Sequence, residues 1–84
     1  MVEIHFGPMA VAWSKDMTKN KYFAEVTINY FHEVLKARGY LYLNTLFEAF
    51  GVAWSPDTEN ICFRSEEEFK PIFSLYEDEI VIIL

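Results

Sequence analysis

The longest regular pattern of apolar and polar positions runs from about Thr18 to Arg38, where the chain contains neither Pro nor Gly. Its apolar side chains fall at helical spacing in two neighbouring rows, and polar side chains fill the remaining face. The rows are Phe23, Val26, Tyr30, Val34 and Ala37, and beside them Ala24, Ile28, Phe31 and Leu35. Asp16 or Thr18 can cap the first turn, and Gly39 is typical of a helix C-terminus. The pattern therefore predicts one long helix that contacts two other elements.

A shorter helix is predicted between Gly39 and Gly51. Thr45 and Glu48 have the Thr-x-x-Glu spacing of a capping box, which leaves a helix of little more than one turn. Because so short a helix is marginal in water by itself, its apolar side chains are expected to dock on the long helix. These side chains are Leu46, Phe47 and Phe50. The two helices are thus predicted to pack as a pair.

Two short strands are predicted, one in each half of the chain. Residues 2–6 alternate apolar and polar side chains, the period of a half-buried strand, and Gly7 with Pro8 ends it. The segment Ile61–Arg64 has the composition of a second short strand. Both strands are expected to place one apolar face against a core.

Turn signals follow in the second half of the chain. The tripeptide Ser55-Pro56-Asp57 reads as a turn. Ser65 and Glu68 repeat the capping-box spacing, and Pro71 comes soon after them. A single helical turn is therefore expected just before Pro71.

The C-terminal residues are predicted to form a hairpin, with Ile72–Tyr76 and Ile80–Leu84 as strands and Glu77–Glu79 between them. Five consecutive apolar residues suit a strand that is covered on both faces. The final strand is therefore expected to lie centrally in the sheet or to pair with another chain. Residues 1–84 as a whole are predicted to form a single α+β domain. In it, one long helix and one short helix pack on a small, mainly antiparallel sheet from the C-terminal half.

The composition adds a surplus of apolar surface to this picture. Hydrophobic residues make up 52% of the 84 residues and aromatic residues 18%. A chain of this length has a limited interior, and aromatic side chains are large, so part of that surface is expected to stay outside. It can be the ordinary surface of a monomer, or a face that binds another copy or a partner.

Both tryptophans lie in a repeated segment, Val11–Asp16 and Val52–Asp57, which differs only at its fifth position. Repeat architectures need at least about three units to bury a continuous core, so two copies do not indicate one. We interpret the copies as two similar turns, each anchored by an aromatic side chain, rather than as a duplicated binding motif. Trp13 and Trp54 are kept as candidate partner-binding residues.

The net charge of −6 is concentrated in the C-terminal half. Residues 43–84 contain two Lys or Arg and nine Asp or Glu, against five and four in residues 1–42. A nucleic-acid-binding protein is expected to present a basic face, and a helix-turn-helix to present base-reading side chains on its second helix. Neither feature is seen, so direct nucleic-acid binding is disfavoured. The clustered acids are candidate partner-binding residues instead: Glu66, Glu67, Glu68, Glu77, Asp78 and Glu79.

The sequence contains no recognisable catalytic or ligand-binding constellation, so no enzyme activity, cofactor, metal or small-molecule ligand is predicted. His5, His32 and Cys62 lack metal-ligand spacing. His32 is expected to be solvated on the polar face of the long helix, and Cys62 to act as a small hydrophobe in a strand. The single cysteine, with no recognisable signal peptide or membrane span, indicates a cytoplasmic protein.

The segment Arg38–Val52 resembles a stretch in short uncharacterised proteins of phages and mobile elements of Gram-positive bacteria. In those proteins a Gly-Tyr-x-x-Leu-Asn sequence precedes a short helix that ends in Gly, as Gly39–Asn44 and Gly51 do here. The resemblance covers the middle of the chain and implies an origin in a prophage or integrative element. It carries no catalytic residue over to this sequence.

Two functional hypotheses follow. The leading one is a non-enzymatic accessory protein of a mobile element that binds another protein or itself, because the surplus apolar surface needs a cover. The alternative is an acidic mimic of nucleic acid that inhibits a basic host nuclease or defence protein. The alternative predicts one continuous acidic face.

Overall fold

The computed structural model describes residues 2–54 and 56–84 and has the predicted α+β architecture. Ser55, the first residue of the predicted tripeptide turn, lies outside the described residues, and a short 3₁₀ turn follows it at Pro56–Thr58. The other elements are β1 (Glu3–Phe6), α1 (Met17–Arg38), β2 (Leu41–Tyr42), α2 (Leu43–Phe50), β3 (Cys62–Phe63), β4 (Ile72–Tyr76) and β5 (Glu79–Ile83).

The main sheet has the strand order β1-β5-β4, and both pairings are antiparallel. The final strand therefore lies centrally, as its run of apolar residues predicted. Because side chains alternate between the two faces of a sheet, Ile80 and Ile82 share one face with Ile4 and Phe6, their partners in β1. All four side chains are buried, so this face of the sheet forms one wall of the core.

Helix α1 forms because its sequence supplies both ends and one apolar row. The Asp16 carboxylate accepts a hydrogen bond from the Thr18 amide at 2.9 Å, and Gly39 ends the helix in a left-handed conformation with φ 80°. The row Ala24, Ile28, Phe31 and Leu35 is buried, as predicted. The neighbouring row is only partly covered: Phe23 and Val34 are half-buried and pack against the core, whereas Val26 and Tyr30 are exposed. The part of the α1 surface that packs against other elements is therefore narrower than the two full rows that the sequence predicted.

Helix α2 is longer than predicted, and its predicted capping box is wrong. The helix begins at Leu43, so Thr45 lies inside it, and the N-cap residue Tyr42 makes no side-chain capping bond. The Leu43 amide instead donates to the Ile61 carbonyl at 3.0 Å, a contact between segments distant in sequence. The predicted docking residues are buried, and the Phe50 ring lies 5.8 Å from that of Phe23 on α1.

The predicted helical turn before Pro71 is also not a helix. Residues 65–69 form hydrogen-bonded turns, in which the Glu68 amide donates to the Ser65 carbonyl at 3.1 Å. The Glu68 carboxylate reaches back to the Arg64 amide at 2.7 Å, one residue earlier than a capping box requires. These turns place the Phe69 side chain in the core, where it is fully buried.

Strand β3 is shorter than the predicted Ile61–Arg64 segment and does not join the main sheet. It pairs antiparallel with β2 as a separate two-stranded sheet, with Leu41 opposite Phe63. The larger sheet is completed by β1 from the N-terminus rather than by β3. This arrangement leaves β4 with β5 as its only strand neighbour among the described residues.

An aromatic cluster joins the sheet to both helices. The Phe6 ring lies 5.0 Å from Trp13, 5.5 Å from Phe23 and 5.2 Å from Phe50, measured between ring centroids. The pairs with Trp13 and Phe50 are edge-to-face, and such pairs add about 0.5–1.5 kcal/mol each beyond the burial of their surface. The cluster lies on the β1 side of the core, which leaves the β4 side less covered.

Candidate functional site

Strand β4 is exposed along its whole length. The exposed fractions of its apolar residues are 63% for Ile72, 41% for Phe73, 57% for Leu75 and 62% for Tyr76. In the neighbouring β5, by contrast, the central three residues are buried. An exposed apolar strand at the edge of a sheet is an unusual surface, because it offers backbone and side chains to another chain.

The hairpin register indicates which backbone groups of β4 are free. Tyr76 pairs with Glu79 across the two intervening residues. The pair that closes a two-residue hairpin exchanges two hydrogen bonds, and hydrogen-bonded pairs alternate along an antiparallel ladder. Ile72, Ser74 and Tyr76 therefore bond to β5. We infer that the amides and carbonyls of Phe73 and Leu75 point away from the sheet, toward the open edge.

A groove lies beside β4 on the face of the sheet that α1 covers. Its volume is about 180 Å³, and its apolar lining includes Ala24 of α1, Phe73 and Leu75 of β4, and Ile80 of β5. Lys21 and Glu25 of α1 also contribute to the lining and place opposite charges beside it. The groove shows that α1 leaves part of this side of the sheet uncovered.

The opposite face of the sheet is also open next to β4. A shallow depression of about 250 Å³ is lined there by Ser74 and Tyr76 of β4, Val81 and Ile83 of β5, and Glu3 and His5 of β1. Apolar side chains thus flank β4 on both faces, and charged side chains lie farther away on β1. An added strand would meet apolar surface on either side.

The charged corner of the outer face is organised around His5. Its Nδ1 lies 2.6 Å from Glu79 Oε1, and its Nε2 lies 3.1 Å from Glu3 Oε1. Both ring nitrogens can donate at once only when the imidazole is protonated. The hydrogen bond to Glu79, assisted by the bond to Glu3 and by both negative charges, raises the pKa of His5 above its usual 6.5.

The two tryptophans proposed as partner-binding residues occupy different environments. Trp13 is half-buried and packs edge-on against Phe6, so it belongs to the aromatic cluster of the core. Trp54 is 41% exposed. The repeated segments begin beside one another, because the Val11 amide donates to the carbonyl of Gly51 at 3.3 Å. Trp13 is therefore part of the core packing, whereas Trp54 is exposed.

The six acids proposed as partner-binding residues form two groups on either side of β4 in the chain. The first, Glu66–Glu68, precedes β4, and the second, Glu77–Glu79, follows it. At about 3.3 Å per residue, the strand alone separates the two groups by roughly 13–16 Å.

Several of these acids already have partners within the chain. Glu66 lies 3.8 Å from Lys36 Nζ, Glu68 accepts from a backbone amide, and Glu79 contacts His5. Within residues 2–54 and 56–84, the remaining acids have no ion-pair partner; they are Glu67, Glu77 and Asp78. Glu77 and Asp78 are therefore the free acids that lie directly at the end of β4.

The structure changes the expectation for His32. Its ring is half-buried and lies 4.8 Å from the ring of Phe69, so it packs against the core rather than standing in solvent. Cys62 is half-buried in β3, where its thiol donates to the Phe63 carbonyl at 3.7 Å. Among the described residues, no group of three or more His, Cys, Asp or Glu side chains is placed to hold a metal ion.

Neither α1 nor α2, nor any other helix in the described ranges, combines the length and apolar character needed to cross a membrane. Comparison with known proteins finds no matching family model, curated protein or solved structure. Functional inference for this chain therefore rests on its own geometry.

Sequence reasoning predicted β4 as a strand but did not identify it as the candidate site. The predicted site residues were charged or contained indole rings, whereas Ile72, Phe73, Leu75 and Tyr76 look like ordinary core residues. The sequence did contain a signal for this site in the final strand. If the final strand is central, the only neighbour that the hairpin assures for the preceding strand is the final strand itself. The apolar side chains of the preceding strand then need another partner at its free edge.

Proposed function

We propose that this chain is a non-enzymatic protein-binding domain, and that it binds by adding an extended strand to the free edge of β4. The observation that carries the proposal is an entire five-residue strand, four of whose residues are large and apolar, with every residue exposed. In strand addition, main-chain hydrogen bonds supply affinity, and alternate side chains supply specificity. β4 offers both, since its free backbone edge lies between apolar surfaces on the two faces of the sheet.

The absence of edge protection within β4 supports this role. Natural proteins commonly protect an edge strand with a charged side chain, a proline or a bulge. Residues Ile72–Tyr76 contain no charged residue and no proline, and their register with β5 is regular. Lys70 and Pro71 come just before the strand and leave its central residues unprotected. An edge of this kind is best explained as a surface that another strand covers.

The acidic-mimic hypothesis receives less support from the geometry. Mimicry calls for a continuous acidic face, whereas the two acidic groups are separated by the length of β4, and several acids contact groups within the chain. The resemblance of Arg38–Val52 to short proteins of phages and mobile elements supports an accessory role in such an element. We place that role in the cytoplasm, where a single cysteine that forms no disulfide is the usual state.

A displayed library of random extended peptides, selected against the purified protein, tests the proposed surface. We expect selected peptides to alternate apolar side chains and to lose at least about tenfold in affinity when Leu75→Lys places a charge on the edge. Val26→Lys is the matched control, because Val26 is also exposed and apolar but lies on the outer side of α1. Its affinity should stay within about twofold of the original protein.

Circular dichroism of both variants would verify that they fold. Peptides that bind Leu75→Lys and the original protein equally well would show that the binding surface lies elsewhere. Failure to select any peptide, combined with a chain that stays monomeric at millimolar concentration, would overturn the proposed function.

A further inference from the structure

We propose that the strand which covers the β4 edge is β4 of a second copy of this chain, paired antiparallel about Ser74. This inference rests on the proposed function and names its partner. The resulting dimer has a continuous six-stranded sheet in the order β1-β5-β4-β4-β5-β1. Three features of the strand support self-pairing: its register, its free hydrogen-bonding groups and the charges at its ends.

The register follows from two-fold symmetry. When an antiparallel pair is centred on one residue, positions equally far before and after that residue lie opposite each other. Centring on Ser74 places Phe73 opposite the partner's Leu75 and Ile72 opposite the partner's Tyr76. This register pairs all five residues of β4. Directly opposed side chains share a face, so every pair except the central pair of serines joins two apolar residues that now stand exposed.

The free backbone groups fit the same register. The amides and carbonyls inferred to point outward are those of Phe73 and Leu75, and these two positions lie opposite each other in the dimer. Each such pair exchanges two hydrogen bonds in an antiparallel ladder, so the two symmetry-related pairs form four. The central pair of the dimer joins Ser74 to the partner's Ser74 and has no hydrogen bonds, because the amide and carbonyl of Ser74 already bond to β5.

The charges at the two ends of the strand are complementary to each other. Lys70 lies two residues before β4, and Asp78 lies two residues after it. The register centred on Ser74 places the end of β4 that Lys70 precedes next to the partner's hairpin turn, which carries the partner's Glu77 and the partner's Asp78. Lys70 and Asp78 are both exposed, so both are available for this contact. A second copy thus supplies the opposite charge at each end of the strand. An unrelated strand would do so only if its own sequence carried the same charges.

The two-fold axis stands perpendicular to the sheet, so both copies of α1 lie on the same side. The exposed Phe73 and Leu75 side chains, which line the groove beside α1, then cover those of the partner. One strand pair buries a small area compared with the roughly 1,600 Å² of a standard interface. We therefore expect a dissociation constant in the micromolar range.

Sedimentation equilibrium at low ionic strength tests the inference with charge variants. Lys70→Glu or Asp78→Lys replaces two attractive contacts per dimer with two repulsive ones. Each variant should therefore raise the homodimer dissociation constant roughly 5- to 30-fold. Mixing the two variants should restore dimerisation as a heterodimer, because Glu at position 70 of one then faces Lys at position 78 of the other. The double variant should also dimerise like the original chain.

Matched controls separate the contact from the change in net charge. Lys19→Glu and Asp57→Lys change the same charges at exposed positions that line neither the groove nor the depression beside β4, and they should leave the dissociation constant within about twofold. Hydrogen exchange provides a second readout that does not depend on variants. The amides of Phe73 and Leu75 should gain protection as protein concentration rises through the dissociation constant, whereas that of Ser74 is already bonded to β5.

A dimer whose affinity is insensitive to both charge variants, or whose Phe73 and Leu75 amides gain no protection, would overturn the inference. A chain that stays monomeric at millimolar concentration would also overturn it. If β4 then still bound library peptides, the proposed function would stand with a different partner. If β4 bound neither peptide nor copy, both proposals would fail.

Discussion

Strands β4 and β5 belong to one hairpin, and each has four apolar residues among five, yet they differ in exposure along their whole length. The central residues of β5 are buried because β1 and β4 flank it and the core covers the face that carries Ile80 and Ile82. β4 has a strand on one side only, and it is exposed throughout. The comparison shows that apolar content makes a strand suitable for burial, whereas strand order decides what buries it.

The two edges of the sheet differ in the same way. β1 carries Glu3 and His5 on its outer face, and these form a charged corner with Glu79. Charged side chains at an edge discourage pairing with another chain. β4 presents Ile72 and Tyr76 on that face instead. One edge of this small sheet is therefore protected by charge, and the other is suited to pairing.

The largest expected effect comes from truncating opposed residues of the two strands. Ile82 of β5 and Phe73 of β4 are paired in register, but Ile82 is fully buried and Phe73 is 41% exposed. Ile82→Ala should lower the free energy of unfolding by about 2–5 kcal/mol, because it leaves a cavity in the core. Phe73→Ala should cost only about 1–2 kcal/mol, since much of the ring is already in water.

Urea denaturation at a protein concentration below the dimer dissociation constant would measure both changes without a contribution from association. Although Phe73 has the larger side chain, Phe73→Ala is expected to cause the smaller loss in the free energy of unfolding. If Phe73→Ala cost as much as Ile82→Ala, β4 would be buried within the monomer, and the contrast between the strands would be wrong.

Two glycines test whether the packed and open parts of the molecule also differ in tolerance to an added methyl group. Gly39 and Gly51 both end helices with positive φ, at 80° and 70°. A Cβ at Gly39 would meet nothing within 4 Å, whereas one at Gly51 would lie 2.9 Å from Val11 Cβ and 3.0 Å from the Val11 amide nitrogen. Glycine is favoured at position 51 by the positive φ and by the close approach of Val11, and at position 39 by the positive φ alone.

Gly39→Ala should lower the free energy of unfolding by about 1 kcal/mol, the cost of a left-handed conformation offset by reduced freedom in the unfolded chain. Gly51→Ala should cost about 2–4 kcal/mol, because overpacking is added to the same backbone cost. Thermal unfolding of the two variants would give the difference. Equal losses would show that the segment around Val11 moves away freely and does not belong to the packed part.

Local and sequential signals were sufficient for much of the fold. The limits of α1 follow from Asp16 and Gly39, and the central position of β5 follows from its five-residue apolar run. The capping box at Thr45 failed because the first amide of α2 is satisfied by Ile61, through a contact that no local spacing encodes. Local rules predict helix ends well when the partner is local.

The candidate site was less predictable for a similar reason. The exposure of β4 depends on which strands lie beside β5. On the face of the sheet that α1 covers, it also depends on how far α1 extends over β4. The charged corner depends on His5 and Glu79, which are 74 residues apart in the chain. These relations arise only in the folded chain, so the acids and tryptophans chosen by residue type did not identify the exposed edge.

The smallest expected effect concerns the charged corner at the protected edge. The pKa of His5 is raised in the folded state by Glu79 and Glu3, so the folded protein binds the proton more tightly than the unfolded chain does. The resulting stabilisation is fully present below the unfolded pKa of about 6.5 and is lost as pH rises through the folded pKa. Because the His5 side chain is 52% exposed, solvent screening limits the effect to about 0.2–1 kcal/mol.

Urea denaturation at pH 5.5 and pH 8.5, on the original chain and on His5→Gln, isolates this contribution. The free energy of unfolding should fall more between the two pH values for the original chain than for His5→Gln, because the amide retains no titrating proton. Ser74→Gln places the same side chain at the matching register position on the β4 side, opposite Val81, and should leave the pH dependence unchanged. If His5→Gln kept the full pH dependence, the corner would not stabilise the β1 edge through protonation, and its role would be limited to keeping that edge polar.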